Sequence, residues 1–595
     1  MSRANALVRL VAAGACALGP FAPSAALADI RVEIEGVEDE VLANVRIFLS
    51  LTRYATLDDL SEELVNRLQQ RAPGEVADAL RPFGYYAPEV EGTLTRDGED
   101  WVSRLVIRPG EPVILSDVDV TIEGPGRDEP FLRAALDEEA LAPGQRLHHG
   151  VYENVKGELQ RRAASSGYLD ARYETAELLV DPAARTAVAR LKLVTGERYR
   201  FGETVIEQDV LDSRYARRFL RYREGEWYST GALLRTQFAL DDTAYFGIVE
   251  VLPGDRDPVT RTVPVRIEAS ANERNRYTIG VGYETDFGAR VRLGWENRRV
   301  NRRGHRLRFE SSLSQDNQTG SLRYVVPIGD PALEKVELDL TGQNSELADV
   351  SSRALTLRPS LTRVLGRWQR VAFVELLRSE SIAGAQRTND TLVVPGISFA
   401  PLPRGVLVDA PVENQGFYAE LIGSQRALGS RSNFLRLRVR NDSRWEVAPR
   451  WSVLARGEVG ATAVKNFDEF PVQYRFFAGG DRSVRGFAFN SLSPLETVSG
   501  NDGVRSTSDD ETLRTGGQHL LVASLELERA LPRNFAVAVF ADAGNAFNRF
   551  KDPLEYSAGI GVRYRLPFVS VGIDVAQPLS QSGNPRFHLN VTPVF

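Results

Sequence analysis

The sequence contains very little of the two residue types that most often form disulfides or structural metal sites. Of 595 residues, one is cysteine and five are histidine. The single cysteine, Cys16, lies near the start, and only His148 and His149 are close together among the histidines. A metal site needs ligands at short, regular spacings. We therefore expect no metal, no cofactor and no disulfide.

Signatures of enzymes and of nucleic-acid-binding proteins are also missing. The chain has no Walker loop, no G-x-S-x-G elbow and no H-E-x-x-H pair. Adjacent acids such as Asp241-Asp242 and Asp509-Asp510 are typical of solvated turns rather than of catalytic carboxylates. The formal charge of −7 makes nucleic acid a poor partner. Catalysis is not expected.

No segment after residue 28 offers the ~18 uninterrupted apolar residues that a membrane-spanning helix needs. The first residues are typical of a secretory signal peptide over 1–28, because Arg3 and Arg9 precede an apolar stretch and Ala26-Leu27-Ala28 supplies a small-residue cleavage site. The alternative is a lipoprotein acylated on Cys16, which the residues before it fit less well. Both interpretations predict export.

The second half of the chain alternates between apolar and polar residues. Near its start, one face carries Tyr277, Ile279, Val281 and Tyr283, and the other carries Thr278, Gly280, Gly282 and Glu284. Such alternation is typical of half-buried strands in soluble sandwiches as well as in barrels. Aromatic residues at strand ends, and arginine and glycine on the opposite faces, favour a membrane barrel with a wet lumen. Residues 269–595 have room for about 16 antiparallel strands.

The first half contains three similar segments. Each begins with a short alternating strand, continues with helical spacing, and has a tyrosine before two closing strands. Tyr85, Tyr168 and Tyr245 recur at a period of roughly 80 residues, as in an array of modules. These α+β units resemble POTRA domains, which are periplasmic. We place the modules at 29–112, 113–196 and 197–268.

The most specific motif is the stretch from Arg475 to Phe487. It resembles the Val-Arg-Gly-Phe loop that folds back into the barrel lumen in the outer-membrane POTRA/β-barrel assembly superfamily. The loop residues that carry this resemblance are Gly479, Gly480, Asp481, Val484, Arg485, Gly486 and Phe487. The stretch from Phe540 to Gly544 resembles the family's F-x-D-x-G strand motif. A count of three modules makes the chain most like the translocation and assembly module subunit TamA.

Alternation independently places two carboxylates on the lumen side, namely Glu526 and Asp542. A guanidinium carries five donors in a fixed fork and can hold two carboxylates at once. An isolated Arg-Gly pair is usually a solvated loop feature. The Gly-Gly-Asp lead favours another interpretation, in which Arg485 anchors the inward loop to Glu526 and Asp542. The motif from Phe540 to Gly544 supports it, as does the stretch from Val522 to Glu526, which resembles the family's preceding strand.

The resemblance also implies a weak seam between the first and last barrel strands. These strands lie near Tyr277–Tyr283 and Phe587–Phe595. Gly280 and Gly282 contribute no side-chain contacts, and Pro593 cannot donate to a sheet ladder. A client strand could add to such an edge.

The resemblance implies a non-enzymatic factor that inserts or exports unfolded β-rich clients, such as autotransporters, at the outer membrane. Expected partners are a TamB-like periplasmic protein, unfolded outer-membrane proteins and outer-membrane lipid; a role in lipid transport stays open. One alternative is a dedicated two-partner secretion translocator, although no plug-helix segment precedes the first module. The other alternative is a passive pore with an arginine-rich lumen.

Overall fold

The computed structural model describes residues 29–55, 60–98, 100–138, 141–285, 288–347, 350–383, 386–402, 416–467, 469–498, 511–566 and 569–593. The predicted signal peptide and Phe595 lie outside the described residues. The chain forms two units. The first runs to Arg200 and includes Trp227–Thr230 and Asp257–Thr262, and the second contains the remaining residues from Phe201.

Three small α+β modules precede the barrel. The first contains β1 Ile30–Glu35, α1 Asp39–Phe48, α2 Ser50–Arg53, α3 Glu62–Leu80, β2 Glu89–Asp97 and β3 Asp100–Arg108. The second contains β4 Ile114–Glu123, α4 Pro130–Glu138, α5 His149–Ser165, β5 Arg172–Asp181 and β6 Thr186–Val194. The third contains β7 Arg200–Glu207, α6 Ser213–Ala216, α7 Thr230–Asp241, β8 Phe246–Pro253 and β9 Thr262–Ala271. The last strand lies in the middle of each three-stranded sheet, in the orders β1-β3-β2, β4-β6-β5 and β7-β9-β8.

Two of the three recurring tyrosines, Tyr85 and Tyr168, follow a glycine at a helix end. Helix α5 stops before Gly167, whose φ of 99° suits glycine. The amide of Tyr168 then donates to the Ala163 carbonyl at 2.9 Å, as in a Schellman cap. The Tyr168 ring is buried in the core of the second module. In the third module Ala244 occupies the equivalent position with a φ of 58°, a conformation that costs an alanine more than a glycine.

Sixteen antiparallel strands of the described chain form a closed barrel, which confirms the predicted fold. They are β10 Asn275–Glu284, β11 Gly288–Asn297, β12 Arg306–Ser314, β13 Asn317–Pro327, β14 Lys335–Leu347, β15 Val350–Leu365, β16 Trp368–Ala383, β17 Gln386–Pro401, β18 Tyr418–Ser424, β19 Phe434–Ala448, β20 Trp451–Val464, β23 His519–Ala530, β24 Phe535–Phe547, β25 Glu555–Arg565, β26 Val569–Pro578 and β27 Arg586–Pro593. The long segment between β20 and β23 also contains the hairpin β21 Leu495–Val498 and β22 Glu511–Arg514.

Alternate residues of the barrel strands face opposite environments. On β24, Val537 and Val539 are exposed on the outer surface, whereas Ala538, Phe540 and Asp542 are buried inside. The outward positions are therefore apolar and the charged Asp542 points inward, as in a barrel whose outer surface meets lipid. Within the described chain, helices that are both long and apolar enough to cross a bilayer are absent.

Part of the third module lies against the barrel turns at one end. Arg302, in the turn between β11 and β12, forms an ion pair of 3.0 Å with Asp212. Arg221 pairs with Asp330 in the turn between β13 and β14. The Tyr245 hydroxyl donates to the Gly304 carbonyl. These contacts mark the end of the barrel at which β10 begins and β27 ends.

Candidate functional site: the lumen loop and the barrel seam

The segment between β20 and β23 turns back into the barrel. Isolated bridges join Phe476 to Gly517 and Ala478 to Leu492, so the two limbs of the loop run side by side. At the turn, Gly479 and Gly480 have φ values of 98° and 100°, which a residue with a side chain rarely adopts. The Gly-Gly lead thus supplies the sharp turn that precedes Arg485.

An apolar cluster fixes the loop against the inner wall. Its members come from the loop and from β23 and β24: Phe476, Ala478, Val484, Phe487, Leu492, Leu520, Val522 and Ala546. All are nearly inaccessible to solvent. Because Val484 and Phe487 flank Arg485, this burial also fixes the position of the guanidinium.

The Arg485 side chain is 1% exposed and binds both predicted carboxylates. Its Nη1 lies 2.7 Å from Glu526 Oε2, and its Nη2 and Nε lie 2.8 and 2.9 Å from the two oxygens of Asp542. Nη2 also donates to Ser524 Oγ at 3.2 Å. The guanidinium stands 3.2 Å from the centroid of the Phe540 ring. Four strand residues thus surround one loop arginine on several sides.

A second layer of charges supports this contact. Arg563 on β25 contacts Glu526 at 3.3 Å and Asp574 on β26 at 3.0 Å. Asp574 also lies 3.6 Å from Arg485. Buried charges are costly unless paired, and here every carboxylate of the group has a guanidinium neighbour. The loop is therefore held by a network that spans β23 to β26 rather than by a single ion pair.

The glycine after Arg485 permits a close approach to the wall. A Cβ added to Gly486 would lie 2.5 Å from the Ser557 Cβ and 3.0 Å from the Pro578 nitrogen. The backbone there touches β25 and β26, and any side chain would push the loop inward. Gly544 has a comparable role on β24, because an added Cβ would lie 2.7 Å from the Leu521 carbonyl oxygen.

His588 connects the loop to the last strand of the barrel. Its ring is 4% exposed, and one nitrogen contacts Asp481 while the other contacts the Arg485 carbonyl oxygen. A carbonyl oxygen only accepts, so the nitrogen facing it carries a proton. An ionised carboxylate also only accepts, so with Asp481 ionised both ring nitrogens donate. His588 therefore links β27 to the loop through one contact on each ring nitrogen.

The seam between β10 and β27 is short. Their ladder pairs only Tyr283 with Val591 and Glu284 with Asn590, whereas β10 pairs with β11 along its whole length. The hydroxyl of Thr285 lies 2.7 Å from the Leu589 amide, just past the ladder. Among the described residues, Asn275–Gly282 has no partner on the seam side. The barrel is closed there by a few bonds at one end of β10.

The structure brings most of the predicted residues together in two groups. The loop residues with Glu526, Phe540, Asp542 and Gly544 form the anchor, and Tyr277, Gly280, Gly282 and Phe587 lie on the seam strands. The sequence interpretation missed Asp574, Arg563 and His588. Alternation alone could have placed these three side chains in the lumen, but it could not show their proximity to the loop. Groups of His, Cys, Asp and Glu suited to a metal are absent from the described part of the chain.

Comparisons with known proteins identify two domains in the chain. The Omp85 superfamily domain matches residues 411–592, and the POTRA domain described as TamA domain 1 matches residues 31–109. The outer membrane protein assembly factor BamA of Nitratidesulfovibrio vulgaris is 25% identical over 169 residues, which cover 27% of this chain and 20% of that protein. The chain therefore matches about a fifth of that relative's length.

Among solved structures, BamA from Haemophilus ducreyi lacking POTRA domains 1–3 matches with a TM-score of 0.61 at 16% identity, over 81% of this chain and 99% of that one. CdiB from Acinetobacter baumannii matches with a TM-score of 0.45 at 13% identity, over 94% and 99% of the two chains. The BamA likeness concerns the fold alone. The two domain matches show that the chain contains an Omp85 superfamily domain and a POTRA domain, so the barrel lies in the outer membrane and the POTRA modules lie in the periplasm.

Proposed function

We propose that the protein inserts or exports unfolded β-rich clients at the outer membrane by offering the open edge of β10 to a client strand. The observation that carries this proposal is the short seam, in which Asn275–Gly282 has no ladder partner on β27 among the described residues. In the hydrocarbon layer each unsatisfied backbone group costs several kcal/mol. A client strand that pairs with this edge satisfies those groups and gains hydrogen bonds as it folds.

The periplasmic modules supply a second kind of edge. In every module the middle strand of the sheet is the last one, so two outer strands are left with one neighbour each. Extended segments can add to such edges by β-augmentation. We propose that the modules collect clients in this way and that a TamB-like periplasmic protein delivers them, with autotransporters among the clients.

A disulfide across the seam tests the proposal directly. Because the only cysteine is Cys16, new cysteine pairs would be unambiguous. Tyr283 and Val591 are direct partners, and facing residues of antiparallel strands lie within the range that a disulfide bridges. The oxidised Y283C/V591C protein should lose assembly of an unfolded outer-membrane protein in proteoliposomes, and reductant should restore it.

The matched control is V281C/V291C, which joins β10 to β11 where the ladder is already continuous. This variant should assemble the client whether oxidised or reduced. Full activity of the seam-locked protein would refute the proposal. Purification of the full chain from mild detergent then separates the alternatives, since a long TamB-like companion supports the assembly role and one dedicated secreted partner supports a two-partner translocator.

A further inference from the structure

The turn between β11 and β12 is unusually basic for a mildly acidic chain. Six of the twelve residues from 297 to 308 are arginine, and none is acidic. The turn lies at the end of the barrel that touches the third module, and this end faces the periplasm. So many arginines in one turn are expected to bind negatively charged groups.

Three of the six arginines in this turn have a partner within the protein. Arg302 pairs with Asp212 at 3.0 Å, and Arg308 pairs with Glu296 at 3.2 Å. The Arg306 guanidinium lies 5.9 Å from the centroid of the Tyr245 ring. The contacts of Arg302 and Arg306 join the turn to the third module, and the contact of Arg308 joins β12 to β11.

The other three arginines, Arg298, Arg299 and Arg303, have no carboxylate within 4.0 Å in the described part of the chain. Arg298 donates from Nη1 to the Glu273 carbonyl oxygen at 3.4 Å, while its buried Nε has no hydrogen-bond partner there. Arg303 is exposed, and Arg299 is partly so. Three arginines of one turn therefore have no carboxylate partner in the described part of the chain.

An aromatic row fixes the height of this turn relative to the membrane. Tyr277, Trp295 and Phe309 are register partners on β10, β11 and β12 and lie on the outward face. Aromatic residues in such rows sit at the membrane interface. Arg298 follows Trp295 by three residues, which is about 10 Å along a strand. The three arginines are therefore level with the lipid headgroups of the periplasmic leaflet.

We propose that Arg298, Arg299 and Arg303 bind the phosphodiester group of an anionic phospholipid in the periplasmic leaflet. A guanidinium holds phosphate oxygens with two parallel hydrogen bonds, and basic residues at the membrane surface attract anionic lipid. A zwitterionic lipid also carries a phosphodiester, but its ammonium cancels the attraction. The site lies next to β10 and would hold an anionic lipid beside the seam.

The test measures lipid preference in the full chain. The protein is purified in neutral detergent and titrated with dioleoyl phosphatidylglycerol or dioleoyl phosphatidylethanolamine, and native mass spectrometry counts the bound lipid. The wild type should prefer phosphatidylglycerol, and R298Q/R299Q/R303Q should reduce that preference by at least about tenfold. Circular dichroism should show the same strand content in both proteins.

The matched control removes the same charge from the same end of the barrel. Arg367, Arg450 and Arg533 lie in three separate turns at that end and, among the residues that the structure describes, also have no carboxylate within 4.0 Å. R367Q/R450Q/R533Q should keep the preference for phosphatidylglycerol. An equal loss in both triple variants would overturn the site in favour of a general effect of rim charge, and no loss in R298Q/R299Q/R303Q would overturn it outright.

Two further arms complete the test. R298K/R299K/R303K keeps the charge and should keep most of the preference, whereas a loss as large as that of the glutamine variant would contradict an electrostatic site. Sodium phosphate at matched ionic strength should not displace the lipid, because it lacks acyl chains. Displacement by phosphate would show a free-anion site and overturn the lipid assignment.

Discussion

The two sides of the barrel that flank β27 are built in opposite ways. From β23 to β26 the ladders are continuous, and the lumen face carries the buried charges that bind Arg485. Between β27 and β10 the ladder is reduced to the pairs at Tyr283 and Glu284. A barrel with one rigid wall and one weak seam can open along a defined line while the rest keeps its shape.

His588 lies between these two regions. It belongs to the last strand, which forms one lip of the seam, yet its ring contacts Asp481 and Arg485 in the loop. The loop is in turn fixed to the wall. The position of the last strand is therefore coupled to the wall, whereas β10 has no comparable contact with the loop among those that the structure describes.

The largest effect on stability is expected from a change to Arg485, which pairs with carboxylates of β23 and β24. Replacing Arg485 by alanine leaves Glu526 and Asp542 buried without their main cation, and removal of one partner from a buried pair typically costs about 3–5 kcal/mol. The barrel of R485A should unfold at clearly lower urea concentration, measured by the mobility of unboiled protein on gels. R482A changes an exposed arginine of the same loop and should behave like wild type. An R485A barrel as stable as wild type would show that the network does not anchor the loop.

A smaller loss is expected when the loop is pushed off the wall. Gly486→Ala places a methyl group against Ser557 and Pro578, and overpacking of this kind costs about 1–3 kcal/mol. The same urea series measures it. Gly457→Ala is a suitable control, since its nearest neighbour to an added Cβ is 4.0 Å away. Equal stability of the two variants would mean that the loop does not need this close approach.

Replacing His588 by glutamine tests the link between the wall and the seam. Glutamine cannot contact Asp481 and the Arg485 carbonyl in the same geometry, and hydrogen bonds to charged groups contribute about 1.5–3 kcal/mol. The effect should concentrate on β27, seen as faster amide hydrogen exchange of Arg586–Pro593. His519→Gln changes a histidine on the rigid wall and should leave β27 unchanged. Unchanged hydrogen exchange of β27 in H588Q would show that the contacts of His588 with the loop do not stabilise the last strand.

The smallest effect concerns the seam itself. Thr285→Val removes the hydroxyl that bonds the Leu589 amide, which is worth about 0.5–1.5 kcal/mol. Because the seam has so few bonds, this change should raise the exchange rate of β10 and β27 while β24 stays protected. Thr278→Val alters a residue within β10 without touching that bond. If T285V and T278V exchange alike, the hydroxyl does not contribute to closure.

The sequence predicted the features that depend on local rules. Strand alternation has a period of two, so the lumen-facing positions of Glu526 and Asp542 followed directly from their neighbours. The recurring Tyr85, Tyr168 and Tyr245 marked the segments that precede the two closing strands of each module. The proximity of Asp574 and His588 to the loop could not be read in this way. It depends on barrel closure, which brings strands distant from the loop into contact.

For related reasons, the sequence alone predicted the seam only in part and did not reveal the basic turn. Gly280, Gly282 and Pro593 suggested weak pairing, but the sequence could not give the register in which β10 meets β27, and this register leaves Asn275–Gly282 without a described partner on β27. The net charge of −7 concealed the basic turn, because the acidic residues that outweigh it lie elsewhere. Local charge density, rather than the total, would have been the informative quantity.

Hydrogen exchange of the wild-type protein tests the contrast between wall and seam most directly. The full chain is placed in lipid nanodiscs, and deuterium uptake is followed for peptides of β10 and β24 by mass spectrometry. The structure predicts rapid uptake across Asn275–Gly282 and slow uptake across Phe535–Phe547. Equal protection of both strands would contradict a weak seam and, with it, the route proposed for client insertion.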